Sequence, residues 1–238
     1  MSTTEVKKIP LASKKPYVYN WKNKKVRDKT KFFKLFIPLA NLLLHKEFES
    51  LEFIGAENVP KDGRLILISN HVNGFDPITL MYGLGIKRSA YFMAKAEFYQ
   101  AFYIRWALAI FNGFPVYRDR PDRESMKFAQ KVLEEEQMLV LFPTGTRDRY
   151  RRRPETEEGV KVGFAMLARD AKATVVPASV HLSADLENHH PKCIVRYGKP
   201  IPYEEMGFTE GKRKSSELRS VSKMLMGKVQ ELWDMDQL

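Results

Sequence analysis

Leu65-Ile66-Leu67-Ile68-Ser69-Asn70-His71-Val72-Asn73-Gly74-Phe75-Asp76-Pro77 is the stretch on which the fold turns. Four apolar residues in a row read as a buried strand. The strand ends in a polar cluster that holds a base, His71, and a carboxylate, Asp76. Gly74 lets the chain turn between them, and Pro77 can start a helix. A strand end that leads into a helix start is where open α/β sheets usually place their chemistry. On a straight helix, positions five apart lie ~140° apart, so the two side chains would face away from each other. They meet only if the segment folds back, for which Asn73-Gly74 is a suitable turn. A neutral imidazole could then take a proton from a hydroxyl while the carboxylate fixes its tautomer and stabilises the imidazolium. The same residues also suit a bland role, with Asp76 capping a helix and His71 satisfied at a strand end.

Working outward, apolar runs alternate with helical patterns. Strands are expected over 64–70, 88–94, 113–118, 138–142, 174–180 and 192–198, with short strands broken by turns over 51–63. Helices are expected over 31–48, 77–84, 97–111, 121–136, 159–171 and 215–235. The connection 199–214 reads as exposed. Pro177 marks an edge strand or a bulge. The fold class is α/β: one domain with a mixed, largely parallel sheet flanked by helices, and an N-terminal interfacial membrane helix. Three strand ends would deliver polar groups to one edge: Asn70-His71 with Asp76, Arg118, and Thr144-Gly145-Thr146-Arg147. A base beside two arginines and a small loop suits a phosphate-bearing alcohol. Arginine grips phosphate through paired hydrogen bonds, and glycine lets backbone N–H groups approach. Each arginine could equally be a solvated surface charge, and the run 147–153, with Arg149, Arg151, Arg152 and Arg153, reads partly as a solvated loop.

With 238 residues, 44% of them hydrophobic, the chain can build a full core, which excludes global disorder. The single cysteine, Cys193, reads as a small buried hydrophobe and allows neither an internal disulfide nor a zinc cluster, so a reducing compartment is expected. Net charge is +11, and it is concentrated: residues 1–48 hold twelve Lys or Arg against three Asp or Glu, a net of +9. The chain therefore divides into a basic arm with an interfacial amphipathic helix (1–48) and a catalytic body (49–238). Residues 1–30 read as flexible, or ordered only against a partner. Such an arm suits an anionic membrane surface, with Tyr17, Tyr19 and Trp21 in the headgroup layer. Nucleic acid is the weaker alternative, because no nucleic-acid motif is present. The first thirty residues lack the apolar core of a signal peptide. The best candidate span, residues 32–44, is too short and contains Lys34, Pro38 and Asn41. The aromatics of 97–111 read first as core, on a face wide enough to cover an acyl chain or touch a bilayer. No Gly-x-Ser-x-Gly elbow, Walker loop or GxGxxG appears, so the substrate's own hydroxyl is expected to attack.

Asn70-His71-x4-Asp76 resembles the first motif of the glycerolipid acyltransferases, the lysophosphatidate (1-acylglycerol-3-phosphate) acyltransferase family. Gly55-x-Glu57-Asn58-Val59-Pro60 is similar to the family's lead-in, and Lys95 to the Lys after its second strand. Gly113 to Arg118, Phe142-Pro143-x-Gly145-Thr146-Arg147 and Val176-Pro177 resemble the second, third and fourth motifs. The likeness covers roughly residues 50–205, in order. It implies that His71, aided by Asp76, deprotonates the acceptor hydroxyl, which attacks the thioester of acyl-CoA or acyl-carrier protein. It implies that Arg118 and the 144–147 loop with Arg147 hold the acceptor phosphate; Asn70 and Lys95 join these as candidate substrate-binding residues. No metal or bound cofactor is implied, and the enzyme would sit peripherally on the cytoplasmic face of a membrane. Two positions depart from the family pattern: Thr144 replaces the usual Glu and Asn73 the usual Ser. The expected reaction is lysophosphatidate to phosphatidate. Another lysophospholipid or glycerol 3-phosphate is the alternative acceptor, and a non-catalytic lipid-binding protein of the same fold is the alternative class.

Overall fold

The structure, a computed structural model, describes residues 17–22, 24–85, 87–118, 120–148, 150, 152–183, 190–211 and 213–236. Among these, seven strands form one sheet: β1 (Ser50–Ile54), β2 (Leu65–Ser69), β3 (Ala90–Lys95), β4 (Gly113–Val116), β5 (Met138–Leu141), β6 (Thr174–Leu182) and β7 (Lys192–Tyr197). Their order is β1-β7-β6-β2-β5-β3-β4. Every neighbouring pair is parallel except β6 and β7. Five strands, from β6 across to β4, therefore point the same way and end on one edge.

The apolar run of β2 is explained by its place. It lies between β5 and β6, and all five of its residues are buried. A strand covered on both faces has no polar positions to alternate with. Ile66 and Ile68 join a core with Phe128, Val132, Phe164 and Leu225, under α5 (Arg123–Glu134), α6 (Gly163–Ala171) and α7 (Ser215–Asp234). Leu65 and Leu67 face the other way, into a second core with Leu44 and Phe48 around α2 (Ile37–Glu47) and Leu80 of α3 (Asp76–Gly83). The two-residue period of the strand splits its side chains between the layers. Asp122 caps α5, accepting the Ser125 N–H at 3.0 Å, a cap of the kind that contributes about 1 kcal/mol.

The N-terminal region differs from the sequence expectation. The helix expected over 31–48 is two helices, α1 (Thr30–Lys34) and α2, with Pro38 in the first turn of α2. Proline lacks the N–H that an uninterrupted helix would need, but fits a helix start. Residues 17–29 are not a free arm. The Tyr91 hydroxyl accepts the Arg27 N–H at 2.8 Å and donates to the Arg27 carbonyl at 3.0 Å. Tyr19 stands edge-on to Tyr99, and Trp21 meets Phe114 and Phe128. These two aromatics, expected in a headgroup layer, pack half-buried against the first core instead; aromatic side chains gain from burial once a matching groove exists. Residues 1–16 lie outside the described residues.

The helix expected over 97–111 is also broken. Ala101 is extended (φ −81°, ψ 119°), between a 3-10 turn at Ala96–Gln100 and α4 (Phe102–Ile110). Lys29 Nζ donates to the carbonyls of Ala109 and Ile110 and so caps the end of α4; burial pushes this ammonium down to about 8. Of the two places expected for Pro177, an edge strand or a bulge, the interior position of β6 rules out the edge, and the ladder to β7 is bulged at this point. β7 stops at Tyr197, opposite Ala178, and the chain rejoins β6 only at Ile201, which bonds Val175 in both directions. Pro177 occupies the gap between, where its missing N–H breaks no ladder bond.

Candidate active site

The site forms where β2 and β5 end on the shared edge. β6 runs past the end of β2, which leaves the Val180 N–H and C=O facing a strand that has stopped pairing. The Asn70 carboxamide takes both: Oδ1 accepts the Val180 N–H at 2.8 Å, and Nδ2 donates to the Val180 carbonyl at 2.8 Å. A side-chain amide thus stands in for one more peptide of β2 and pins the chain just before His71. Asn70, expected among the substrate-binding residues, is placed by the structure as a buried ladder extension that also borders the cleft described below.

The segment after His71 folds back. The Asn73 side chain accepts the Phe75 N–H at 2.9 Å, the local turn that Asn favours. This brings Asp76, fully buried at the first position of α3, beneath the imidazole. Asp76 Oδ2 lies 2.6 Å from His71 Nδ1 and accepts the N–H groups of Val72 and Asn73 at 2.7 and 3.0 Å. An oxygen approached by two fixed N–H donors is an acceptor, so the third partner, Nδ1, carries the proton. In the neutral ring the lone pair therefore sits on Nε2. The imidazole stacks on Phe142 at the end of β5, with centroids 4.1 Å apart. The His71 carbonyl accepts the Asp148 N–H at 2.7 Å, which ties the loop after β5 to His71.

That loop closes as a turn, with the Gly145 N–H donating to the Phe142 carbonyl at 2.8 Å. Gly145 has φ +69°, a left-handed conformation that costs other residues ~1–2 kcal/mol. The Thr144 hydroxyl donates to the Thr146 carbonyl at 3.1 Å, so it is engaged within its own loop. Arg147 lies over the turn that follows His71: a Cβ at Gly74 would be 3.2 Å from its Nη1. It has no hydrogen-bond or ion-pair partner among the described residues. A cleft of 510 Å³ opens here, lined by His71, Thr144, Thr146, Arg147, Tyr150 and Arg152 among others. Its other arginines are occupied: Arg152 pairs with Asp148, and Arg153 with Asp234. Arg149 and Arg151 lie outside the described residues.

The structure thus gathers His71, Asp76, Thr144, Gly145, Thr146 and Arg147. Lys95 and Arg118 stand at the ends of the two strands beyond β5, β3 and β4. Lys95, ending β3, pairs with Glu97 at 3.0 Å. Arg118 follows β4, three strands from β2, a lateral offset of ~14 Å. Burial lowers the Arg118 guanidinium, the Glu97 charge opposes this, and the like charge of Arg147 lowers it further, so the two arginines share one field. Two contributors carry no local sequence signal, Phe142 as the platform for the imidazole and Asp148 as the link from the loop to the His71 carbonyl. Cys193 is buried, and burial raises its thiol well above the ordinary range, which fits its reading as a hydrophobe. Among the described residues, no group of three or more His, Cys, Asp or Glu could hold a metal ion.

A family model described as Acyltransferase matches residues 50–181. A Bacillus subtilis (strain 168) protein named 1-acyl-sn-glycerol-3-phosphate acyltransferase is 34% identical over 125 residues, 52% of this chain and 58% of its own length. A Streptococcus pneumoniae (R6) protein of the same name is 24% identical over 192 residues, 79% of this chain and 69% of its own. The match to the Bacillus relative therefore spans less than two thirds of that protein. The crystal structure of the 1-acyl-sn-glycerophosphate (LPA) acyltransferase PlsC from Thermotoga maritima is similar, with TM-score 0.60, 25% identity and coverage of 85% of this chain and 80% of that one.

Proposed function

Because the chain belongs to the Acyltransferase family, we propose that it transfers an acyl group from a thioester to the free hydroxyl of lysophosphatidate, giving phosphatidate. The observation that carries this reading is the orientation of His71: Nδ1 is held by Asp76, and the ring borders a cleft beside Arg147, which has no partner among the described residues. Nε2 takes the hydroxyl proton as the oxygen attacks the thioester carbonyl. The tetrahedral intermediate collapses, the C–S bond breaks, and the imidazolium returns its proton to the departing thiolate. Arg147 pairs with the acceptor phosphate in the two-pronged geometry that a guanidinium offers. Acyl-CoA or acyl-carrier protein serves as donor, and no bound cofactor takes part. The names of the relatives support lysophosphatidate as acceptor. A second reading, glycerol 3-phosphate or another lysophospholipid as acceptor, is favoured by Thr144, which places no carboxylate where the family usually has one.

Arg147→Ala tests the assignment of the phosphate. It is expected to raise the KM for lysophosphatidate by about 10-fold or more, the scale of one lost charge-assisted contact, while the thioester KM stays near wild type. Equal increases for both substrates would remove Arg147 from the acceptor site, and an acceptor panel run alongside would rank the two readings.

The reaction is proposed to take place on the cytoplasmic face of a membrane, with the protein bound peripherally to anionic lipid. Among the described residues, no helix is long and apolar enough to cross a bilayer. Support comes from exposed apolar side chains on neighbouring helices: Leu35 following α1, Leu39 and Leu42 on α2, and Phe102, Tyr103 and Trp106 on α4. Phe33 and Phe36 pack on Phe111, joining the two groups. The combined replacement Leu35→Glu, Leu39→Glu and Leu42→Glu is expected to cut co-sedimentation with anionic vesicles, through lost apolar contact and through charge repulsion that added salt screens. Unchanged binding would count against this surface. Removal of residues 1–48 is the poorer test, because Trp21, Leu44 and Phe48 belong to the packed cores.

A further inference from the structure

The helix that carries the exposed leucines also touches the catalytic turn. Glu47, the last residue of α2, accepts a hydrogen bond from Asn73 Nδ2 at 2.7 Å. Asn73 in turn donates its backbone N–H to Asp76 Oδ2 and accepts the Phe75 N–H on its side chain. A second tether lies one face further along, where the Tyr82 hydroxyl of α3 donates to Asn41 Oδ1 of α2 at 2.6 Å. Asp76 is the first residue of α3. Both ends of the unit that presents the carboxylate are therefore keyed to α2 by side chains. On α2 the two roles fall on different faces: Asn41, Leu44 and Phe48 follow one another at helical spacing against the domain, and Leu39 and Leu42 point outward.

We propose that Glu47 is a positioning residue that couples the seating of α1 and α2 on a lipid surface to the geometry of the His71–Asp76 pair. The proposal rests on the reading of the chain as a membrane-bound acyltransferase and adds to it a route of interfacial activation. A tilt of α2 on docking moves Glu47, Glu47 moves Asn73, and Asn73 sets one of the three hydrogen bonds that aim the carboxylate. Displacements of ~1 Å at a reacting group are enough to change rates by ~10²-fold.

The test uses the full chain, a water-soluble short-chain lysophosphatidate, a labelled acyl thioester, and anionic vesicles that contain no acceptor. Adding vesicles is expected to raise the wild-type kcat. Glu47→Ala is expected to lose ~10- to 100-fold of the vesicle-stimulated kcat. Its vesicle co-sedimentation and both KM values should stay within about two-fold of wild type. Glu47→Gln, which keeps the accepting Oε1, is expected to restore the stimulation. A merely structural Glu47 would lower activity equally with and without vesicles, and that result would overturn the proposal. So would normal stimulation of Glu47→Ala, a Gln variant as impaired as the Ala variant, or an active wild type indifferent to vesicles. If Glu47→Ala does not fold, Asn73→Asp decides: it keeps the oxygen that accepts the Phe75 N–H but faces Glu47 with a like charge. Loss of stimulation in that variant supports the coupling, and retained stimulation overturns it. A wild type that transfers no acyl group to any acceptor would instead overturn the acyltransferase reading itself.

Discussion

Replacing His71 by alanine is expected to lower acyl transfer by about 10²–10⁴-fold, the usual contribution of a positioned general base. The loss should fall on kcat, because the cleft that receives the acceptor is built by neighbouring residues. Arg147, Thr146 and the turn at Gly145 do not depend on the imidazole for their backbone positions. The fold should persist: Asn70 anchors the chain to Val180 before His71, and Asp76 still accepts the N–H groups of Val72 and Asn73 after it. The imidazole's own packing is a stack on Phe142, so the truncation leaves a surface notch and not a buried void. Steady-state transfer of a labelled acyl group, with circular dichroism of the same samples, checks this; a variant within ten-fold of wild type would take His71 out of the chemistry.

Asp76→Asn is the second large effect, and it should be felt in both rate and stability. The three donors converge on one oxygen, so the carboxamide oxygen can occupy that place and keep the tautomer. Its NH2 group then falls where Oδ1 now lies, a buried position with no hydrogen-bond partner. That position is unpaired in the wild type too, so the stability loss comes from the hydrogen bonds at Oδ2, which are charge-assisted with a carboxylate and neutral with an amide; a lower Tm, worth about 1–2 kcal/mol, is expected. The rate loss has another cause. As Nε2 gains the proton, positive charge develops on the ring, and a neutral amide no longer offsets it. A fall in kcat of about 10²–10⁴-fold is expected. An Asn variant with near-normal kcat would show that the carboxylate only shapes the turn.

What could be read from the sequence, and what could not, follows from the range of the interactions involved. The buried strand was legible at Leu65-Ile66-Leu67-Ile68 because coverage on both faces leaves a local signature. The return of the chain from His71 to Asp76 was legible because Asn73 and Gly74 act within a few residues. The break at Ala101 was not, since no proline or glycine marks it. The inward packing of Tyr19 and Trp21 was not, since it depends on Tyr99, Phe114 and Phe128 lying together only after the sheet forms. Strand ends pointed to the right edge, but the strand order decides lateral distance. That order puts the loop after β5 next to His71 and Arg118 at the end of β4, where it shares the charge field of Arg147. Asn70 illustrates the same limit: its partner, Val180, is 110 residues distant, so a residue that completes a ladder looks in the sequence like one free to bind substrate.

The most direct measurement is the transfer of a labelled acyl group from its thioester to lysophosphatidate presented on anionic vesicles, with wild type and His71→Ala side by side. Labelled phosphatidate is expected from the wild type, with a rate at least about 10²-fold lower from the variant. Wild-type protein that binds the vesicles but acylates neither lysophosphatidate nor any other acceptor offered, or product formed equally well without the imidazole, would contradict it.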